Sequence, residues 1–156
     1  MDDIPSPAVQ AVRALGIPYT LHRHAYPVRS LEQAARERRL TPEAILRSLL
    51  FRTADGSFVL VLMPGRVQVS WPRLRRHLGV ARITTATPEE VVEITGSAPG
   101  AVSPFGLRHP VRLLADTRVV LLERISLGAG LPDAGLILQR DDLVRTLRPE
   151  FVRLTD

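Results

Sequence analysis

Between Ala98 and Leu107 the chain reads APGAVSPFGL, with two prolines and two glycines in ten positions. Such a stretch cannot run as a helix or hold the middle of a strand. Gly100 can take backbone angles barred to other residues. Pro104 stiffens the loop and confines Ser103 before it. Ala101 and Val102 lie between, and their backbone N–H groups have no evident ladder partner. A rigid loop of such groups can hold a carbonyl oxygen or an oxyanion. It can equally be a tight connection from a helix to the next strand.

Arg47 is the second chemically informative residue. If residues 45–52 form a strand, then Ile45, Arg47, Leu49 and Phe51 share one face. An arginine among large apolar side chains stays charged and needs a partner. That partner is a carboxylate of this chain or an anionic or carbonyl group of a ligand; the pattern leaves both open. His22 and His24 lie two apart and share a strand face, as metal ligands can, but no third ligand is evident. No metal is expected, and ordinary surface or hydrogen-bonding roles suit both. His77 and His109 read as surface residues. Ser103 has no base beside it and reads as a structural hydroxyl. Gly128 and Gly130 either let a ligand approach the backbone or form a plain turn. Their Gly-x-Gly is not followed by a long helix, which argues against a dinucleotide fold.

The elements that must position these groups follow from capping and turn signals. Ser6-Pro7 opens a helix whose stripe is Ala8, Val12 and Leu15, ended by Gly16. Ile17–His22 reads as a strand. Ser30 with Gln33 opens a second helix, which turns Leu31, Ala34 and Ala35 inward and Arg36, Arg38 and Arg39 to solvent. Thr41 caps one more turn. Residues 45–53 and 58–63 form a hairpin around Asp55-Gly56. Ser70 caps a helix with Trp71, Leu74 and Leu78 inward, Arg73, Arg75 and Arg76 outward, and Gly79 at its end. A strand follows at 81–86, and Thr87 with Glu90 starts another helix. Short strands are expected at 111–115, 119–122, 125–127, 136–138 and 151–154, with a short helix at 141–147. Several connections are too short for parallel crossovers. The fold class expected is mixed α/β: a curved, partly closed mixed sheet surrounded by helices.

Composition agrees. The 156 residues suit one domain spanning 1–156, and 45 % are hydrophobic. The longest apolar run, Phe58–Met63, is strand-sized and far short of a membrane span. The acidic start, MDDIPSP, has no apolar leader, so a cytoplasmic protein without membrane contact is expected. There are no cysteines, hence no disulfide or thiolate chemistry. Net charge is +5, and all 21 basic residues are arginine. The missing lysines read as codon bias of a GC-rich or thermophilic genome. The charge favours polyanion partners without itself demonstrating nucleic-acid binding.

Several stretches together resemble the YbaK/EbsC family, the free-standing relatives of the prolyl-tRNA synthetase editing domain. SPAVQAVRALGIPYTLHRH resembles its opening, and ILRSLLFR the strand that usually carries a lysine. VSWPRLRRHLG, TPEEVVEITG and PGAVSPFGL resemble its central run, including a GxxxP loop at Gly100–Pro104. SLGAG and DDLVRTL fit its end. The resemblance implies a barrel-like mixed sheet and a trans-editing deacylase that hydrolyses the ester of a mischarged tRNA, without metal or cofactor. It implies that Gly100 and Ala101 amides hold the aminoacyl carbonyl and that Arg47 takes the lysine's place. Arginine keeps the charge but has fixed, planar donor geometry and cannot act as a base. The tRNA's own ribose hydroxyl is the candidate base. Tyr19, His22, Val102, Ser103, Pro104, Gly128 and Gly130 are expected to line the substrate pocket. Arg73, Arg75 and Arg76 are candidates for the acceptor-stem phosphates, although a solvated helix face fits them as well. The partners implied are the 3′ end and acceptor stem of an aminoacyl-tRNA, with a synthetase as a further candidate. Ser70 stands where relatives often have aspartate, and either caps a helix. Two other readings remain: a non-catalytic module that binds tRNA ends, a nucleotide or a protein, and a broader hydrolase of small aminoacyl esters. The amino acid removed, the tRNA and the oligomeric state are left open.

Overall fold

The computed structural model describes residues 5–156; the acidic start at residues 1–4, with the expectation about a leader, lies outside them. Helix α1 (Pro7–Ala14) is capped by Ser6, whose hydroxyl accepts the Val9 N–H at 3.2 Å. Ala8, Val9 and Val12 are buried, whereas Leu15 is 45 % exposed. The helix ends at Ala14, so Leu15 leaves the stripe as its C-cap. After β1 (Thr20–Arg23) comes α2 (Leu31–Glu37), where the Ser30 hydroxyl accepts the Gln33 N–H at 3.0 Å. The Gln33 side chain accepts from Arg29 N–H, one residue before the cap, so the expected box is displaced.

A 3-10 turn (Pro42–Ala44) leads into β2 (Leu46–Thr53) and β3 (Phe58–Pro64), paired antiparallel as expected. Helix α3 (Trp71–Leu78) has Ser70 as cap and Gly79, at φ 69°, as stop. Strand β4 (Ile83–Thr85) precedes α4 (Pro88–Thr95), which carries the complete Thr87–Glu90 capping box. Strand β5 (Arg112–Asp116) is followed by a 3-10 turn over Thr117–Leu121, where 119–122 was expected to be a strand. The valine pair suggested extension, but the Asp116 carboxylate accepts the Arg118 N–H at 2.9 Å and turns the chain. Then come β6 (Arg124–Gly128), β7 (Ala134–Gln139), α5 (Arg140–Leu147) and β8 (Glu150–Val152).

Among the described residues the strands form two sheets, in the orders β4-β2-β3-β5-β8 and β1-β7-β6. The larger is mixed: β3 pairs parallel with β5 and β5 parallel with β8. A single parallel bridge, Ile45 to Ser126, links the two sheets. The expected mixed sheet with surrounding helices therefore stands, but as two sheets joined at a bridge rather than one partly closed. Strand β3 is buried on both faces: Val59, Val61 and Met63 pack with Leu74 of α3, while Leu60 packs with Val91 of α4. Leu62 faces the core built by α1, β6, β7 and α5. Asp116 is fully buried and also accepts the Leu154 N–H at 2.8 Å, and Ser70 N–H donates to the Leu154 carbonyl at 2.6 Å. No helix among the described residues is long and apolar enough to cross a membrane.

Candidate functional site

Where β2 faces β6 and the loop at 99–104, two chambers open on either side of one wall. The larger, about 480 Å³, is bordered by Ser30, Leu31, Ala34, Arg38, Gly128 and Asp133. The smaller, about 370 Å³, is bordered by Phe51, Gln68, Trp71, Thr85, Pro88 and Val91. Arg47, Ser48, Leu49, Gly100 and Val102 border both.

The loop is built by its Pro-Gly pair. The Ala101 N–H donates to the Ala98 carbonyl at 3.0 Å, closing a turn with Pro99 and Gly100 at its centre. Gly100 has φ 86°, the angle a type II turn demands there. A Cβ at Gly100 would meet nothing within 4 Å, so conformation rather than space calls for glycine. Ala101 is thus not the free donor expected: its amide is taken, it is buried, and it borders neither chamber. Among the described residues no acceptor meets the N–H of Gly100 or of Val102. The Pro99-Gly100 pair was the sequence signal for this turn.

Gly128 presses against the loop, and a Cβ there would lie 2.2 Å from the Val102 carbonyl oxygen. Gly130 donates its N–H to the Ala101 carbonyl at 2.8 Å and holds the loop from outside the chambers. Ser103 and Pro104 are buried and border neither chamber; the Ser103 hydroxyl accepts the Phe105 N–H at 3.1 Å. Tyr19 packs against the first core cluster, and His22 stands beside His24; neither borders a chamber.

Among the described residues no carboxylate pairs with Arg47, the first of the two partners weighed for it. Its Nε donates to the Gly65 carbonyl at 2.5 Å and its Nη2 to the Val67 carbonyl. Burial first, and nearby Arg66 second, push its pKa down from the usual arginine value. Trp71, expected inward, is 36 % exposed at the first position of α3. Its ring meets Phe51 edge-on, with centroids 5.2 Å apart. Arg73, Arg75 and Arg76 border neither chamber, and Arg73 Nε lies 3.6 Å from an Asp156 carboxylate oxygen.

Three residues at the site were missed. Arg38, expected in solvent, is half-buried and borders the larger chamber. Its Nε donates to His24 Nε2 at 3.1 Å, its Nη1 to the Ser126 hydroxyl at 3.0 Å and its Nη2 to the Ala134 carbonyl at 3.4 Å. The spacing Leu31, Ala34, Ala35, Arg38 is a helical i, i+3, i+4, i+7 stripe and was the available signal. The Ser48 hydroxyl is buried without a hydrogen-bond partner among the described residues, on the wall between the chambers. Asp133, at φ 51°, accepts the Val28 N–H at 3.2 Å. His22, His24 and Glu37 bring ligand-type atoms within 4.8 Å of one another, so Glu37 supplies the third group not evident in sequence. Both nitrogens of His24 are engaged, however, because Glu37 Oε1 sits 2.7 Å from Nδ1. Arginine only donates, so Nε2 accepts and Nδ1 carries the proton. A metal would have to displace both bonds.

A family model described as the aminoacyl-tRNA editing domain matches residues 25–146. The chain belongs to that family. The resemblance carried by ILRSLLFR and the GxxxP loop is borne out at this level. A proline–tRNA ligase of Bacillus licheniformis is 36 % identical over 110 residues, covering 70 % of this chain and 19 % of the ligase. The multifunctional Ser/Thr-tRNA deacylase ProXp-y of Escherichia coli K12 is 36 % identical over 97 residues, covering 60 % of this chain and 57 % of the deacylase. The chain thus spans about a fifth of the length of the first and a little over half of the second. The crystal structure of a candidate trans-editing enzyme for prolyl tRNA synthetase superposes with a TM-score of 0.89 at 24 % identity, over 96 % of this chain and 95 % of that one. That likeness concerns the editing-domain fold. The matched editing-domain span holds Arg38, Arg47, the loop and Asp133, whereas Tyr19 and His22 fall before it.

Proposed function

We propose that this editing domain acts as one unit over residues 1–156 and hydrolyses the ester joining a small amino acid to the 3′ end of a tRNA, in trans and in the cytoplasm. One observation carries the reading: Arg47 and the Gly100 turn share the wall between a chamber that also carries Arg38 and Asp133, the more polar of the two, and a more apolar one with no charged group but Arg47. The apolar chamber suits the terminal adenine, with Trp71 and Phe51 as aromatic surfaces. The polar chamber takes the aminoacyl group, and Asp133 meets its α-ammonium. The N–H groups of Gly100 and Val102 polarise the ester carbonyl and receive the oxyanion. Arg47, with two of its five N–H groups held by carbonyls, offers the others to a phosphate or ester oxygen.

Water adds to the carbonyl carbon, the bond to the ribose oxygen breaks, and that oxygen takes up a proton. The products are a free amino acid and the terminal hydroxyl of the tRNA. Asp133 is the sole carboxylate bordering either chamber among the described residues. The neighbouring ribose hydroxyl is the proton relay that the family resemblance implies. Outside the chambers, Arg73, Arg75 and Arg76 extend the helix begun by Trp71 and would meet acceptor-stem phosphates. A synthetase is a further partner for this surface.

The test is a deacylation panel with alanyl-, cysteinyl- and seryl-tRNA(Pro). Turnover abolished by Arg47→Ala supports the reading. Binding of tRNA without turnover favours the non-catalytic module. Hydrolysis of free aminoacyl esters with indifference to tRNA favours a broader hydrolase.

A further inference from the structure

Arg38 is a half-buried cation that the proposed hydrolysis does not use. It stands at the end of α2, on the wall of the larger chamber, and three separate segments converge on it. Glu37 fixes the His24 ring through Nδ1, which leaves Nε2 to accept from Arg38 Nε. Ser126 of β6 and Ala134 of β7 hold the two terminal nitrogens. The sheet has made room for the guanidinium: a Cβ at Gly135 would lie 2.4 Å from Arg38 Cζ. Gly135 does not sit at positive φ, so what a larger residue there would disturb is the seat of the guanidinium, not the backbone angle. Three of the five N–H groups are accounted for by these bonds. One remains on each terminal nitrogen, beside a chamber with an acid, Asp133, on its rim.

We propose that Arg38 is a second substrate-contacting arginine, which reads an oxygen acceptor on the aminoacyl side chain, with His24 and Glu37 as its positioning residues. The inference rests on the editing reading of the same site. The α-ammonium goes to Asp133, and the side chain then extends toward the guanidinium. A hydroxyl or a carboxylate carried on the β-carbon satisfies the two remaining N–H groups. A methyl group in the same place leaves them unpaired. The chamber therefore selects for oxygen, not merely for small size.

The experiment compares kcat/KM for seryl-, aspartyl- and alanyl-esters on one tRNA. The wild-type protein prefers at least one oxygen-bearing substrate over alanyl by about tenfold or more, as a hydrogen bond to a charged group implies. The seryl and aspartyl arms tell hydroxyl from carboxylate. Arg38→Gln brings the ratio toward one, mainly through KM, and Arg38→Lys restores part of it. Gly135→Ala, which keeps the arginine but displaces its guanidinium, lowers the ratio in the same way. Glu37→Gln lowers it less, because the amide oxygen still accepts from His24. An unchanged ratio in folded Arg38→Gln and Gly135→Ala overturns the proposal. So does stoichiometric zinc uptake by the wild-type protein, since a metal on His24 would break the Arg38 contact. If no aminoacyl-tRNA is turned over, the editing reading fails separately. Binding of seryl, aspartyl and alanyl amides of 3′-amino-3′-deoxyadenosine then decides on Arg38: a seryl or aspartyl preference lost in Gly135→Ala supports it, and wild-type binding of all three alike overturns it.

Discussion

The two chambers share a wall but are made of different matter. On the α2 side stand Arg38, Asp133 and Ser30, each able to form directed bonds. On the side of α3 and α4 stand Phe51, Trp71, Pro88 and Val91, with no charged group but the shared Arg47. Directed bonds discriminate between ligands of similar size, whereas flat apolar surfaces grip any base with little preference. Under the proposed editing function, choice of amino acid belongs to one side and hold on the constant tRNA end to the other. The same proposal puts the chemistry on the partition, where Arg47, Ser48 and Gly100 border both chambers.

Substitutions on the partition test this division most severely. Arg47→Ala should lower the single-turnover deacylation rate by ~10²–10³, the usual cost of losing an electrostatic contact to a developing oxyanion. A similar loss for every amino acid in the panel sharpens the comparison; a loss confined to one amino acid breaks it. Gly128→Ala drives a Cβ against the Val102 carbonyl, a rigid neighbour. It should cost about 1–3 kcal/mol in urea unfolding and open the partition to both sides at once. On the apolar side alone, Trp71→Ala should raise KM by about tenfold while leaving the ranking of amino acids intact, since stacking on a base is sequence-tolerant. A changed ranking would merge the two chambers into one.

The smallest effect belongs to neither chamber. Glu150 accepts from Arg112 at 2.7 and 2.8 Å and meets His77 at 3.2 Å. The Arg112 contact is the main cause that holds its pKa at about 2, below the ordinary 4.5. A depressed carboxylate stabilises the fold above its unfolded pKa and stops doing so as pH falls through the folded value. The Tm advantage of wild type over Glu150→Gln should therefore be full above about pH 4.5 and vanish toward pH 2. It should be modest, because the pair is substantially exposed.

Local chemistry made much of the fold legible. The serine caps of α1, α2 and α3, the Thr87–Glu90 box and the Asp-Gly hairpin each act within four residues, and each appears where the sequence places it. The family was legible because its loop and strand keep their order along the chain. The site was legible only in part. Arg47 and Gly100 were identified and border the same two chambers, but their neighbours depend on distant segments. Arg38 reads as solvent-facing until Ser126 and Ala134, 88 and 96 residues away, supply its acceptors. Ser48 looks like an ordinary strand serine, and nothing nearby in sequence announces that it will be buried unpaired. Ala101 is the reverse case: its amide is lost to a turn that Pro99-Gly100 already encodes.

The parallel rung between β5 and β8, with Asp116 receiving the Leu154 amide, has a consequence for biosynthesis. The margin of the larger sheet is completed by β8, which leaves the ribosome after the other four strands of that sheet. A nascent polypeptide that has emerged only through β5 can close the β2–β3 hairpin and add β5 to it, but Leu114 and the carboxylate of Asp116 still await their covers from β8 and Leu154. Translational pausing near residue 145 would thus hold the protein with an open strand margin, the state most exposed to intermolecular pairing.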